Sequence, residues 1–593
     1  MGDCSAMKKR SFLSISLSFL LILSSALANL YCLPGGGHDT HLPKDPKKST
    51  CEPGKWGGTL KLGIAGTPLT FNPFVPSTPE TYEVTSKLFG TLIDYDNVNQ
   101  KTSNDGMARS VDKGDNNSYI IYLREGLAFS NGVPITAEDV IFSIKATWDA
   151  RLSSILGDLI KLDGKPPELA KINSLTVKIT FPNYYEPIRE LLSRIPIVSK
   201  KAMEDYFLKS DPKNAYGLET SPEKIVSSGP FVLKSYSEKE IVLAYNPYYW
   251  KTDNVGTALP YLDGITYSLK VSRQEQQNNL LTRGDYHVAQ LIQAQKQSFE
   301  GNDRFVLKDV GPSLSVWQLV LNWRTDQNRN DRTKATWFRT PNFRHAVSSL
   351  IERDKISSEV FNTMARPAYS IVTPENKLWF NPDTKKYSYN AESAKTLLST
   401  AKFATAANGN LRDNGGQTIR FNLLHLNEFV PQQLASRIVE DMKKVGIQVE
   451  PDQVEYKKFW GLVNNGLFET ALVESTPLLP DPAFMQPYLS KAGKYLYFND
   501  PSEVSFASTA TAGSEEWLSQ AAKSLNEALK KQSLKERQDI YNKVQSDWAD
   551  NSPIIYLINE NILAAAQKNL GNFKPAPVIP TLTWNAEEFY FKQ

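Results

Sequence analysis

LREGLAFSNGVPITAEDVIFSIK, residues 123–145, joins a strand end, a glycine turn and a capped amphipathic helix in one run. The residues that lead into it, YIIYL at 119–123, are β-branched or aromatic and read as a strand. Asn131-Gly132 supplies a turn at positive φ, which only Gly, Asn or Asp visits at little cost. Thr136 stands where an N-cap is needed, and Asp139 follows three residues on as its capping-box partner. Val140, Ile144 and Trp148 then fall on one helical face. The run is a well-made strand, turn and helix, and nothing in it is catalytic.

Outward from this block, helical and strand patterns alternate. Thr59 to Ile64 alternates as a strand. Leu434, Ile438, Met442 and Val445 recur at helical spacing, with Gly446 as a C-cap and Ile447-Gln448-Val449 as the next strand. Residues 391–398 and 516–548 read as helices, and 553–558 as a buried strand. The alternation predicts a mixed α/β architecture. Residues 325–334 and 405–417 are polar and read as surface loops.

The chain has 593 residues, enough for three or more structural units. Lys8, Lys9 and Arg10 precede an apolar run at residues 12–23 and an Ala26-Leu27-Ala28 cleavage pattern, so 1–28 read as a signal peptide. The competing reading is a retained anchor, since 12–31 carries no charge and approaches spanning length. Beyond residue 28 the 67 basic and 64 acidic side chains lose three and one respectively, and a net charge of +1 remains. That balance offers no support for nucleic-acid binding. Residues 29–55, rich in Gly, Pro and Lys, predict a flexible lead-in. Of three cysteines, Cys32 and Cys51 follow the signal. A disulfide between them, a lipid on Cys32 and two free thiols are all open, although Tyr31 before Cys32 argues against lipidation.

Three further blocks stand in order behind the first. They are Ser228-Gly229-Pro230-Phe231 with Asn246-Pro247-Tyr248-Tyr249-Trp250; Asn342-Phe343-Arg344-His345-Ala346 with Ile351-Glu352-Arg353-Asp354; and the run 389–398, YNAESAKTLL. Together with 123–145 they resemble the family 5 extracellular solute-binding proteins, receptors that pass peptides and related solutes to ABC importers. The resemblance implies a periplasmic-binding-protein type II fold. Two α/β lobes joined by hinge strands would close over a ligand, with an extra domain inserted in the first. Carried over, the first lobe comprises 56–91, 224–315 and 556–593, the inserted domain 92–223, and the second lobe 316–555. It also implies a monomer outside the cytoplasm, working with permease subunits, without a cofactor.

The same resemblance places ligand contacts. An extended segment at 77–82 is expected to line the cleft and pair with a peptide as an added strand, with Thr78, Pro79 and Tyr82 as candidates. Tyr456 matches an aromatic wall residue of peptide binders. Peptide receptors also carry an Asp, in a GWxxD run, that holds the ligand's α-amino group. Here the Gly-Trp falls on Glu474-Ser475 and the Asp on Leu478. Either Glu474 or Asp481 takes over that charge, or the ligand has no free amine there.

Sequence motifs for enzymes are missing: there is no G-x-S-x-G, P-loop, H-E-x-x-H or C-x-x-C. The five histidines, 38, 41, 287, 345 and 425, show no metal-ligand spacing. The expected function is capture of a peptide-like solute. The alternatives are an oligosaccharide or metal-complex ligand on the same fold, or a surface adhesin or sensor without transport.

Overall fold

The opening block folds as its residues dictate. In the computed structural model, Ser118–Leu123 is a strand, Gly132 turns at φ 77°, and a helix covers Ala137–Thr147. Thr136 and Asp139 close the capping box, with the Thr136 N–H donating to the Asp139 carboxylate at 2.9 Å. Val140 and Ile144 are buried. The strand is second in an antiparallel sheet ordered Ala108–Lys113, Ser118–Leu123, Thr176–Thr180, Glu168–Asn173.

The structure describes residues 37–592 except 76–77, 153, 324–331, 478 and 484–515. The signal-peptide and anchor readings, and Cys32 with its lipid or disulfide, lie outside these residues. Cys51 is buried. Residues 37–40 contain no helix or strand, and 41–593 form one compact unit.

A second four-stranded sheet pairs Thr59–Gly63 in parallel with Gly264–Ser268, which continues antiparallel to Glu240–Tyr245 and Phe231–Tyr236. The last two are the hairpin that follows Gly229-Pro230. Asn246 ends it, donating its side-chain amide to the Gly229 carbonyl at 2.8 Å.

The largest sheet runs Val288–Gln290, Ile554–Gln567, Val316–Leu321, Thr470–Ser475, Arg420–Leu426, Gln448–Val454. Arg420–Leu426 and Gln448–Val454 are parallel and joined by the helix Phe429–Lys443, a crossover unit. Every residue of Val316–Leu321 is buried, as a strand covered on both faces requires.

Two strands run from one lobe into the other. Ile554–Gln567 pairs with Val316–Leu321 over its first half and with Phe305–Pro312 over its second. At the midpoint, the buried Asn559 amide donates to the carbonyls of Ser313 and Ser315, and the Ser313 N–H donates to the Glu560 carbonyl. These are the hinge strands of a two-lobed α/β molecule.

Three features of the structure go beyond the sequence reading. The block 342–354 spans two helices, Pro341–Leu350 and Arg353–Phe361. The chain breaks at Ile351-Glu352, where the Glu352 N–H donates to Asp441, and Arg353 turns inward. Its guanidinium, 2% exposed, donates to the carbonyls of Tyr556, Ala368 and Ser348. Residues 405–417 include a short antiparallel pair, Ala404–Thr405 with Leu411–Arg412. Residues 41–55 are not a loose lead-in. Lys47–Lys48 pairs in parallel with Lys251–Thr252, the Lys44 N–H donates to the Glu125 carbonyl, and the Lys47 ammonium bridges Asp94 and Asp105 at 2.9 Å each. Composition signals weak burial here, but backbone pairing and two carboxylates hold the strap without an apolar face.

Candidate functional site

Beside the hinge lies a cavity of about 480 Å³ lined from both lobes. One wall comes from Leu62 to Ala65, Pro79, Glu80, Glu83 and Arg273, with 579–582; the other comes from Trp317, residues 426–432, Tyr456, Phe459, Trp460 and Glu474.

Strand periodicity decides which residues of Thr470–Ser475 reach it. Leu472, Glu474 and Thr476 face the cavity, and alternation sends Ser475 to the opposite face. There Ser475 lines a small void of about 30 Å³ together with Asp481. Asp481 is buried and committed: it pairs with Arg537, and the Tyr541 hydroxyl donates to it at 2.8 Å. Of the two acids that were candidates to hold an amine, Glu474 is therefore the one at the cavity. Leu478 lies outside the described residues.

Of the segment at 77–82, the described residues 78–82 are not an extended edge. Thr78 caps a helix, Pro79–Leu88, its hydroxyl accepting from the Thr81 N–H at 3.2 Å. Proline after a threonine cap is a helix start, since its missing N–H and fixed φ suit the first position. The helix presents Pro79, Glu80 and Glu83 to the cleft. Tyr82 points to the far side, where its hydroxyl accepts from Arg194 at 2.8 Å. Pro79 thus reaches the site; Thr78 serves as the cap and Tyr82 faces elsewhere.

Tyr456 begins the helix Tyr456–Asn464 of the second lobe and donates its hydroxyl across the cleft to Glu80 at 2.5 Å. Glu80 is 8% exposed; burial pushes its carboxyl up, and the Tyr456 hydrogen bond pulls the other way. Trp460 meets the Tyr456 ring edge-on at 6.4 Å. Gly66 fits against this ring, because a Cβ there would lie 2.9 Å from Tyr456 Cε1.

The cavity floor is charged. Arg273, first residue of the helix Arg273–Asn278 behind the Ser272 cap, pairs with Glu560 of the hinge strand at 3.2 Å. Glu474 and Glu428 share the same guanidinium's field. Burial, reinforced by Glu560 and Glu428, pushes the Glu474 carboxyl up to about 8, with Arg273 acting against it. Burial also raises Glu428. One carboxylate, Glu560, thus pairs with the guanidinium, and two more, Glu474 and Glu428, act on it through their charge. Trp317, opposite Glu474 in the strand pair, lines the same wall, and its indole N–H finds no acceptor among the described residues.

Trp317, Arg273, Glu428 and Glu560 were not found from sequence. Trp317 sits in a uniformly apolar strand, and the others become neighbours only when distant segments fold together. No local spacing marks them. Among the described residues no group of three or more His, Cys, Asp or Glu is arranged to hold a metal ion.

A hinged cleft with an aromatic wall, a charged floor and contacts from both lobes defines a solute-binding receptor of the clamshell class. The chain belongs to the bacterial extracellular solute-binding proteins, family 5, whose middle region matches residues 104–495. The oligopeptide-binding protein AppA of Bacillus subtilis is 24% identical over 587 residues, 96% of this chain and 97% of AppA. The structure of AppA in complex with a nonapeptide matches with a TM-score of 0.77 and 20% identity, over 91% of this chain and all of that one. The periplasmic binding protein MelB of Agrobacterium fabrum, in complex with stachyose, matches with a TM-score of 0.76 and 20% identity, over 93% and 88%. The chain is thus a substrate-binding component of an ABC transporter, a binding protein rather than an enzyme. No described helix is long and apolar enough to cross a membrane.

Proposed function

We propose that the chain captures a peptide-like solute with a cationic amino group and delivers it to membrane permease subunits. The observation that carries this is the excess of carboxyl groups around Arg273, with Glu474 and Glu428 lining the cavity and Glu560 behind them on the hinge strand. Glu474, Glu428 and Glu560 face one Arg273, and an ammonium inserted beside Glu474 would complete the balance. Pro79 and Tyr456 contribute from opposite lobes, so a ligand touching both favours closure. We take the lobes as 56–91 with 224–315 and 556–593, and 316–555, with 92–223 inserted. The strap at 41–55 is grouped with the first lobe. The mature receptor is placed outside the cytoplasm behind a cleaved signal at 1–28.

A second reading rests on the aromatic wall. Trp317, Tyr456, Phe459 and Trp460 offer ring faces on which an oligosaccharide could stack. Native mass spectrometry of protein purified without refolding separates the two. A co-purified peptide mass supports the proposal, and a sugar mass overturns it. Glu474→Ala is expected to weaken an amine-bearing ligand by about tenfold or more, measured by calorimetry. Unchanged affinity would reject Glu474 as the anchor.

A further inference from the structure

Among the described residues, the charged side chains that line the cleft are Glu80, Glu83, Glu428, Glu474 and a single cation, Arg273. Glu80, Glu83 and Arg273 are already committed. Glu80 accepts from the Tyr456 hydroxyl. Glu83 accepts from the hydroxyls of Tyr267, at 2.9 Å, and Thr583, and has the Lys87 ammonium 3.8 Å away. Arg273 is paired with Glu560, and its charge is shared further with Glu474 and Glu428.

Glu474 and Glu428 remain. Among the described residues neither carboxyl accepts a hydrogen bond. Neither is sealed: both residues are half-buried and line the cavity, and their oxygens are not among the enclosed side-chain atoms that lack partners. They open onto the space between the lobes, where a receptor of this family holds its solute.

Strand register brings the two to one edge. Arg420–Leu426 runs parallel to Thr470–Ser475, with Leu424 opposite Ala471. Counting on along both strands puts Glu474 level with the turn after Leu426, from which the chain enters Glu428 and the helix Phe429–Lys443. Neighbouring strands lie about 4.8 Å apart, and Glu474 feels the Glu428 charge. Two carboxyl groups so placed oppose each other's ionisation unless cations join them. A single ammonium beside Glu474 leaves Glu428 without a partner.

A ligand carboxylate finds no matching anchor. The Arg273 guanidinium already has Glu560 in contact, and no lysine or histidine lines the cavity among the described residues. A carboxylate placed there would lose its water beside acids.

We propose that the cleft selects a solute with two cationic groups at one end, the first held by Glu474 and the second by Glu428, and that it anchors no carboxylate of the ligand. Glu428 is thereby a specificity-determining residue. This rests on the reading of the solute as peptide-like and amine-bearing. The full chain is titrated by calorimetry with Lys-Ala-Ala amide, its Nε-acetyl-lysine counterpart, Ala-Ala-Ala amide and the free acid of Lys-Ala-Ala. The Lys-Ala-Ala amide should bind about tenfold or more tighter than the acetylated and the Ala-Ala-Ala amides, and no less tightly than the free acid. Glu428→Gln should remove the preference for the second ammonium. The acetylated peptide keeps the length and deletes the charge in the unaltered protein, so that comparison holds even if the variant folds poorly. Equal binding of the three amides, a preference that survives Glu428→Gln in a folded protein, or a free acid that binds more tightly than its amide would each overturn the dicationic site and leave the amine-bearing solute standing. Binding of none of the four would overturn both.

Discussion

Glu474 carries the sharpest consequences at the scale of single residues. Its carboxyl is raised to about 8, above the ordinary 4.5, chiefly by burial. Between those two values the native state holds a proton that the unfolded chain has lost. The ligand-free protein should therefore lose stability as pH rises from about 4.5 to about 8, and Glu474→Gln should flatten that decline in melting scans. An ammonium bound beside Glu474 reverses the preference and expels the proton. Binding at pH 7 should then release a proton, seen as a dependence of calorimetric enthalpy on the buffer's heat of ionisation. Tyr456→Phe removes the hydroxyl that crosses the cleft to Glu80. It should shift the ligand-free population toward the open form, with a larger radius of gyration by X-ray scattering. Glu474 and Tyr456 were legible only through family-like order, because no spacing sets them apart from other glutamates and tyrosines. Ser475 and Asp481 were misplaced for the same reason: strand alternation and the partner Arg537 decide their surroundings.

At the scale of elements, local chemistry was legible and long-range chemistry was not. The Thr136–Asp139 capping box and the strand that leads into its block stand in the structure as read, since each is decided within a few residues. The helix at Pro79 was missed although Thr78-Pro79 is a start signal; the expected strand pairing came from the family and displaced it. The break after Leu350 was hidden because its cause lies some 200 positions away, at the Tyr556 carbonyl. Arg353 ties the second of those helices to the hinge strand. Arg353→Met should lower stability by about 3 kcal/mol, because buried carbonyls lose their donor. Denaturant unfolding monitored by circular dichroism measures it.

At the scale of the molecule, the two lobes and their hinge followed from the family-like blocks, whereas the strap at 41–55 did not. Its composition is that of a linker, and its attachment comes from Asp94, Asp105 and Thr252 far along the chain. Closure should be a rotation about the pair Phe305–Leu321 and Ile554–Gln567. Addition of the cleft ligand to open protein should reduce the radius of gyration, and a ligand that contacts only one lobe should not. The helix Pro79–Leu88 is a party wall, with Glu80 and Glu83 on one side and Lys87 and the Arg194 anchor on the other. Whatever displaces it from either side is felt on the other. By thermodynamic reciprocity, anything that moved this helix from one side would change its own dissociation constant and that of a cleft ligand by one common factor.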